Sequence, residues 1–390
     1  MENRKRAEHA AARPGVDCFG ALLFLFLTSF LLAACGAPGE PTPPSPPVPT
    51  AVTDLTARQS GDGALLTLTL PTRTVTNERL IEPPSVEIFR GSLKPDGKPD
   101  NKSFQLVYTL PGALLDTYTT EKYIQFKDPI DPNQTLAHPG ATYAYRVRTR
   151  AAKKKDSADS NTVALRIFSV PEKIVGLETK VTEPAIELTW TAPKKTSGGA
   201  PLDGLTGYRV LRGEIDPVSA DATAHDIQQA KWKTPLTMLA PAPENSCRDT
   251  LFDFGKTYVY VVRAVAIGGD GPVESDDSAP AVVTPIDTFP PSPPQNLVAA
   301  VTSPPSGTFA VEISWSNNLE TDLAGYRVYR SDTQDARGRL LTTELLPAPV
   351  YRDISVQAGH HYWYTVTAVD RAGNESNPSM VSADLAQLSQ

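Results

Sequence analysis

Alternating apolar and polar residues form the same short pattern three times along this chain, about 120 residues apart. The copies lie at 66–70, 186–190 and 311–315. A period of two buries one face of a strand and leaves the other face in water. The 390-residue chain is therefore expected to contain three similar units built from β-strands.

Two more strand patterns follow in each copy. One contains Tyr208 in the second copy and Tyr326 in the third. The first copy has a weaker version of it, at 85–90. The other starts with a tyrosine shortly after a glycine, and these tyrosines are Tyr143, Tyr258 and Tyr362. Short strands, turn-rich joints and the lack of a long helical period predict tandem antiparallel β-sandwiches of about a hundred residues each.

These residues resemble the fibronectin type III domain. The resemblance rests on a strand-B tryptophan (Trp190, Trp315), a strand-C tyrosine (Tyr208, Tyr326) and a corner tyrosine (Tyr143, Tyr258, Tyr362). The third copy matches best, and the first departs most, with Leu70 in place of the tryptophan. The resemblance implies an all-β fold of three immunoglobulin-like sandwiches. It also implies that the tryptophan fills the core and that the corner tyrosine bonds to nearby backbone.

The repeats and the composition divide the chain into six predicted segments. They are a signal peptide (1–34), a proline-rich tether (35–50), three sandwiches (51–169, 170–287 and 288–385) and a tail (386–390). Seven of the fifteen residues at 36–50 are proline, so the tether should be an extended polyproline II spacer; a ligand for a partner is the alternative reading. The chain has insertions at 91–123 and 214–234. They are either recognition loops or solvent-exposed loops without a binding role, and the second contains a possible short helix.

The first residues have the order of an export signal. A basic start precedes a charge-free apolar run at 19–34. Residues 32–35 read Leu-Ala-Ala-Cys and resemble the lipobox of bacterial lipoproteins, which implies cleavage between Ala34 and Cys35 and acylation of Cys35. The sixteen residues of this run would span about 24 Å as a helix, less than the ~30 Å hydrocarbon core. An uncleaved anchor and an ordinary signal peptide are the alternatives.

The signal predicts that the protein lies in a bacterial cell envelope, outside the cytoplasm and attached to the membrane by its lipid. Gly36 follows the cysteine; by resemblance to enteric-type sorting, the absence of Asp there favours the outer membrane of a Gram-negative host. The net charge is -7, and loss of four basic and three acidic residues with 1–34 makes it -8. This acidic balance argues against a nucleic-acid partner.

Cysteine usage leaves no intramolecular disulfide in the mature chain. The three cysteines are Cys18, Cys35 and Cys247. Cys18 leaves with the signal and Cys35 carries lipid, so Cys247 stays alone. Its thiol is either a small buried hydrophobe or a group that pairs between molecules.

The motif search predicts neither an enzyme nor a metal or cofactor site. After the signal the histidines are His138, His225, His360 and His361. Adjacent residues of a strand point to opposite faces, so His360 and His361 cannot share a metal. Asp96 and Asp100 resemble part of a calcium loop, but lysines lie among them and no later Glu completes it. Zinc, nucleotide-binding and serine-hydrolase patterns are absent from the sequence.

The sequence therefore predicts a non-catalytic spacer, adhesion or protein-interaction arm, with an envelope or surface protein as its partner. The alternative is a glycan-binding accessory lipoprotein with a polysaccharide partner. For that alternative, Tyr329 and Trp363 are the predicted binding surface, because both fall on outward strand positions of the third copy. An enzyme with a site between modules is the third possibility.

Overall fold

A computed structural model describes residues 47–153, 155–218, 224–302, 309–334 and 336–385. Over these ranges the chain consists of antiparallel strands and turns with three short helices, which confirms the predicted all-β fold. Within the same ranges, no helix has the length and apolar character needed to cross a bilayer. The predicted signal, Ala34, Cys35, most of the tether and the tail lie outside the described residues.

The first sandwich consists of two antiparallel sheets, with orders β1-β2-β6-β5 and β4-β3-β7-β8, and β9 pairs with β7. Its strands are β1 (Thr56–Ser60), β2 (Gly63–Leu68), β3 (Ser85–Gly91), β4 (Gln105–Leu110), β5 (Thr119–Thr120), β6 (Tyr123–Pro129), β7 (Ala141–Ala152), β8 (Lys155–Asp156) and β9 (Val163–Ile167). A 3-10 helix spans Gly112–Tyr118, and α1 spans Pro132–Ala137. Helix α1 begins where the Asp131 carboxylate accepts a hydrogen bond from the Asn133 amide.

The second sandwich has sheet orders β10-β11-β14 and β13-β12-β15-β16, with β17 paired to β15. Its strands are β10 (Val175–Val181), β11 (Ile186–Thr191), β12 (Leu205–Ile215), β13 (Trp232–Ala242), β14 (Ser246–Asp249), β15 (Thr257–Gly268), β16 (Gly271–Glu274) and β17 (Ala281–Val283). Helix α2 (Ala224–Gln229) lies in the predicted insertion at 214–234.

The third sandwich has sheet orders β18-β19-β22 and β21-β20-β23-β24. Its strands are β18 (Val298–Thr302), β19 (Ala310–Ser314), β20 (Leu323–Ser331), β21 (Arg339–Leu340), β22 (Val350–Asp353), β23 (His361–Asp370) and β24 (Ser379–Asp384). The predicted boundary at 169/170 falls between β9 and β10, and the one at 287/288 falls between β17 and β18.

The described residues group into two compact units. The first holds 47–57, 66–126 and 144–164, and the second holds 58–65, 127–143 and 165–385. The second unit therefore contains the second and third sandwiches together with one end of the first.

An aromatic pair lies at the centre of the core in the second and third sandwiches. Trp190 meets Tyr208 edge to face at 5.1 Å, and Trp315 meets Tyr326 in the same geometry at 5.1 Å. All four side chains are buried, in clusters with apolar residues from both sheets. Trp190 lies on β11 and Trp315 directly follows β19, whereas the tyrosines lie on strands of the larger sheets, so each pair fixes how the two sheets face each other.

The first sandwich reaches a closed core without the tryptophan. Its buried strand residues include Leu66, Leu68, Val86, Ile88 and Val147. Leu70, at the position of the tryptophan, lies beyond the end of β2 and is half-buried.

A glycine before the strand-C tyrosine allows a bulge at the start of that strand. Gly325 has a φ of +154°, and a Cβ there would lie 2.7 Å from the Leu346 carbonyl oxygen. The register between β20 and β23 shifts at this residue. Gly207 has a φ of +146° in the second sandwich, so the repeated Gly-Tyr-Arg-Val sequence encodes the same distortion twice.

The corner tyrosines of the second and third sandwiches close the loop that precedes their own strand. The Tyr258 hydroxyl accepts a hydrogen bond from the Asp253 amide at 3.0 Å, and the Tyr362 hydroxyl accepts one from the Gln357 amide at 3.3 Å. Both rings are buried. Tyr143, at the matching position of the first sandwich, is half-buried.

The core tryptophan should matter more to stability than the corner hydroxyl. We expect Trp315→Ala to lower the free energy of unfolding by about 3–5 kcal/mol, because it empties the space between the sheets. Tyr362→Phe keeps the ring and removes one hydrogen bond, so we expect a loss of about 1 kcal/mol. Urea denaturation of both variants measures the difference, and equal losses would contradict these roles.

Candidate functional site

A buried carboxylate joins the two sheets of the second sandwich. Asp249, on β14, is 1% exposed. Its Oδ2 accepts hydrogen bonds from Arg212 Nη1 on β12 and from the Tyr260 hydroxyl on β15, both at 2.6 Å. We call this arrangement the Arg–Asp–Tyr bridge, and it ties the smaller sheet to two strands of the larger one.

The third sandwich repeats the Arg–Asp–Tyr bridge. Asp353 Oδ2 accepts from Arg330 Nη1 at 2.6 Å and from the Tyr364 hydroxyl at 3.0 Å. Its Oδ1 accepts from the amide and the hydroxyl of Ser355 at 2.8 and 2.7 Å. In the first sandwich the matching sequence positions hold Arg90, Asp128 and Tyr145, of which Asp128 and Tyr145 are buried.

In the third sandwich, the protonation states of the bridge are fixed at neutral pH. Burial works to raise the pKa of Asp353, but hydrogen bonds from Ser355, Arg330 and Tyr364 outweigh it and lower that pKa. Burial and the Asp353 charge raise the pKa of Tyr364 far above its usual range. The carboxylate stays ionised and the phenol stays protonated, so the bridge stabilises the fold and is poorly suited to proton transfer.

The prediction that Tyr329 forms an exposed surface is wrong. Its ring is 8% exposed, because the Arg337 guanidinium lies 4.2 Å above it and its hydroxyl donates to Glu375 at 2.9 Å. Arg337 comes from the loop after β20, where Gly338 turns the chain back with a φ of +79°. A Cβ on Gly338 would lie 2.1 Å from the Arg330 carbonyl oxygen, so this turn needs glycine.

Trp363 is half-buried on the same outer face of the larger sheet. Its ring centre lies 5.3 Å from that of His361. Trp363 pairs with Ser331 and Tyr329 pairs with Thr365, so the two predicted aromatics are diagonal neighbours across β20 and β23. Of the two, Trp363 alone keeps exposed aromatic surface for a partner.

Glu375 is the centre of the polar network on this face. Its carboxylate accepts from the Thr367 hydroxyl at 2.6 Å and from Arg327 Nη1 at 2.9 Å, besides the contacts with Tyr329 and Arg337. Burial works to raise the pKa of Glu375, but the hydrogen bonds and the Arg337 charge outweigh it and lower the pKa to about 2. Glu375 is therefore ionised at any pH above this value.

Three aspartates from separate segments meet where the second and third sandwiches join. Carboxylate oxygens of Asp287, Asp322 and Asp370 lie within 4.8 Å of one another, and Asp370 is 2% exposed. No lysine or arginine of the described ranges forms an ion pair with them. Hard cations take such ligands, but acidic groups often cluster without one, so the cluster alone does not identify a metal site.

The same region carries contacts between the third sandwich and the segment that precedes it. The Asn374 amide nitrogen Nδ2 donates to the Asp287 carbonyl at 3.2 Å and to Asp370 Oδ2 at 2.8 Å. The Ser379 hydroxyl donates to the Pro294 carbonyl at 2.6 Å. These bonds link the segment between the sandwiches to the third sandwich.

The end of the first sandwich that belongs to the second unit also contacts the second sandwich. Within the first sandwich, the Gln59 side chain forms two hydrogen bonds with the backbone of Phe168, at 2.6 and 3.1 Å, directly before the boundary at 169/170. Ser197 donates to Asp62 at 2.5 Å, and Lys127 forms an ion pair with Asp276. An apolar cluster of Val170, Ala266 and Val273, with Phe168 and Leu202 against it, lies beside these polar contacts.

Cys247 and the second insertion both have structural roles. Cys247 lies half-buried on β14 against the core, and burial raises the pKa of its thiol. This placement favours the prediction that Cys247 acts as a small buried hydrophobic residue over pairing between molecules. In the insertion at 214–234, Ile227 of α2 is buried with Ile215 and Val259, so this segment packs on its own sandwich.

Protonation of Glu375 should weaken the third sandwich. The folded pKa lies below the ordinary value of 4.5, so the stabilisation is complete above that pH and is lost as the pH falls towards 2. We expect Glu375→Gln to lower the free energy of unfolding by about 3 kcal/mol at neutral pH and by progressively less between about pH 5 and pH 2. Urea denaturation across that range tests it, and a difference independent of pH would contradict the role of the charge.

The chain has partial similarity to one curated enzyme. Exoglucanase B of Cellulomonas fimi is 28% identical over 250 residues, which cover 61% of this chain and 19% of that protein. The chain thus matches about a fifth of the length of this relative. No protein-family model matches.

Among solved structures, the crystal structure of the chicken CNTN1 FN1-FN3 domains is 13% identical. The comparison covers 86% of this chain and 98% of that one, with a TM-score of 0.23.

Proposed function

We propose that the chain is a lipid-anchored, extracytoplasmic arm of three fibronectin type III-like sandwiches. The arm is non-catalytic: it spaces an interaction surface from a bacterial membrane and presents it to an envelope or surface protein. The observation that carries this proposal is the set of contacts inside the second unit, between successive sandwiches. A spacer needs joints that resist bending, and hydrogen bonds, an ion pair and an apolar cluster at these boundaries support such resistance.

The placement of the acidic side chains supports a non-catalytic role. Asp249 and Asp353 are buried in the Arg–Asp–Tyr bridges, and Glu375 is held by Tyr329 and two arginines. A general acid or base needs a pKa near the working pH and access to a substrate. These carboxylates are fixed in structural pairs instead.

The anchor in this proposal is Cys35. Its support is the lipobox-like sequence at 32–35 and the proline-rich stretch that follows. One acyl chain binds a membrane only marginally, whereas several give stable attachment. In a Gram-negative host, we place the protein on the outer membrane because Gly36 follows the cysteine.

A second candidate function is glycan binding as an accessory to polysaccharide breakdown. It is favoured by the partial match to an exoglucanase and by the half-exposed ring of Trp363. Aromatic rings that keep one face open suit the apolar faces of sugars, whereas the ring of Tyr329 is covered by Arg337.

The arm is tested by capture experiments with a soluble Cys35→Ser chain against envelope proteins and a glycan array. The proposal predicts capture of a specific envelope protein and no release of reducing sugar from cellulose. Sugar release would contradict the non-catalytic role. Glycan binding that is lost in Trp363→Ala, without protein capture, would favour the second candidate.

The anchor is tested separately by metabolic labelling with radioactive palmitate. We expect label in the wild-type chain and none in Cys35→Ser, because the thiol is the acylation point. Mass spectrometry should find the mature chain starting at modified Cys35. An unmodified residue there, or an intact Met1, would contradict the anchor.

A further inference from the structure

The outer face of the larger sheet in the third sandwich contains a cavity of about 260 Å³. Residues that line it include Arg337, Thr365, Thr367, Glu375 and Met380. Thr365 pairs with Tyr329 on β20 and with Met380 on β24, so these side chains share one face of the sheet. The cavity is thus bounded by the sheet itself and by the loop that carries Arg337.

The Thr365 hydroxyl is the unusual group in this cavity. Thr365 is 1% exposed, and its Oγ1 is buried without a hydrogen-bond partner in the part of the chain that the structure describes. Buried hydroxyls are normally hydrogen-bonded, and leaving one unpaired destabilises a protein. The unused hydrogen-bonding capacity of this hydroxyl points to a polar partner that is not part of this chain.

The first two sandwiches have arginine at the position of Thr367. Thr367 lies five residues after the corner tyrosine, and the matching residues are Arg148 and Arg263. Each arginine forms an ion pair with a carboxylate of its own sandwich, Asp159 or Asp277. Threonine is several atoms shorter than arginine, so Thr367 takes up less of the space beside the cavity that it lines.

The lining indicates the class of ligand. Ionised Glu375 can only accept hydrogen bonds, Arg337 can only donate them, and the Thr365 hydroxyl can do both. Glu375 also pairs with Arg327, so once Arg337 is displaced the two remaining charges balance and the lining attracts neither anions nor cations strongly. The matching ligand is uncharged and carries adjacent groups that both donate and accept, beside an apolar surface for Met380.

A polyol ring has this chemistry. The volume is below the roughly 300–1,000 Å³ of typical ligand pockets, which suits a single ring better than a longer ligand. We propose that one ring of a neutral saccharide displaces Arg337 from Glu375 and binds in this cavity through the Thr365 hydroxyl and the acceptor site that Arg337 leaves on Glu375. The site rests on the export part of the proposed function but needs neither the lipid anchor nor rigid joints.

Access of a ligand to the cavity depends on the position of the Arg337 side chain. Its side chain is 53% exposed, whereas Thr365 lies beneath the surface. Displacing Arg337 opens the path to the Thr365 hydroxyl but breaks its contacts with Glu375 and Tyr329, so the ligand must replace those hydrogen bonds with its own. The half-exposed ring of Trp363 lies on the same face and can support the next ring of an oligosaccharide.

The test is calorimetric titration of the full chain, kept in a detergent without a sugar headgroup, with cellotetraose, mannotetraose and the anionic tetragalacturonate. We expect binding of at least one neutral oligosaccharide. We expect Thr365→Val to weaken that binding at least about tenfold, because the ligand loses a hydrogen bond inside the cavity.

Thr149→Val in the first sandwich is the matched control. Its Oγ1 is also buried without a partner in the described ranges, and Thr149 does not line the cavity. Both substitutions remove an unpaired hydroxyl, so neither should lower the melting temperature, and only Thr365→Val should weaken binding.

Four results would overturn the proposal. They are no binding of either neutral oligosaccharide, binding of tetragalacturonate alone, unchanged affinity in Thr365→Val, and equal weakening in both variants. Failure here with continued capture of an envelope protein would leave the arm proposal standing.

Discussion

The buried carboxylate of each Arg–Asp–Tyr bridge is the interaction on which the sandwiches depend. Asp353 comes from the smaller sheet, while Arg330 and Tyr364 come from the larger one, so the bridge sets the distance between sheets. A carboxylate that is 2% exposed must be paired, because an isolated buried charge is very costly. The Arg330 guanidinium also lies 4.7 Å from the ring centre of Tyr362, which couples the bridge to the corner tyrosine. Charge and aromatic packing therefore support the same contact between the sheets.

Because these charged residues stabilise the inside of the sandwich, its outer face can acquire a function while the core stays the same. The bridge and the Trp–Tyr pair occupy the inner faces of the second and third sandwiches. One difference between the copies lies on the outer face, where the arginine of two copies is replaced by Thr367 in the third. The outer face of the third sandwich combines a cavity, a half-exposed tryptophan and an unpaired hydroxyl. It is the surface on which we place recognition.

The sequence was sufficient to predict the all-β fold, because period-two alternation reports burial on one face of a strand. It could not predict the cover over Tyr329, since Arg337 reaches that ring only through a loop turned by Gly338. The Arg–Asp–Tyr bridge was not predicted from the sequence either, although an aspartate lies at or next to the end of the matching strand in each copy. The cluster of Asp287, Asp322 and Asp370 had no local spacing to reveal it, because its members are brought together by the fold.

The arm depends most directly on the joint between the second and third sandwiches. Spin labels at Met238→Cys and Ile354→Cys, which replace exposed residues in these two sandwiches, can report their separation in a chain without other cysteines. Double electron–electron resonance should give one narrow distance distribution, and Asn374→Ala should broaden it because the bonds to Asp287 and Asp370 are lost. A broad distribution in the chain with native Asn374 would contradict a fixed joint and, with it, the spacer role.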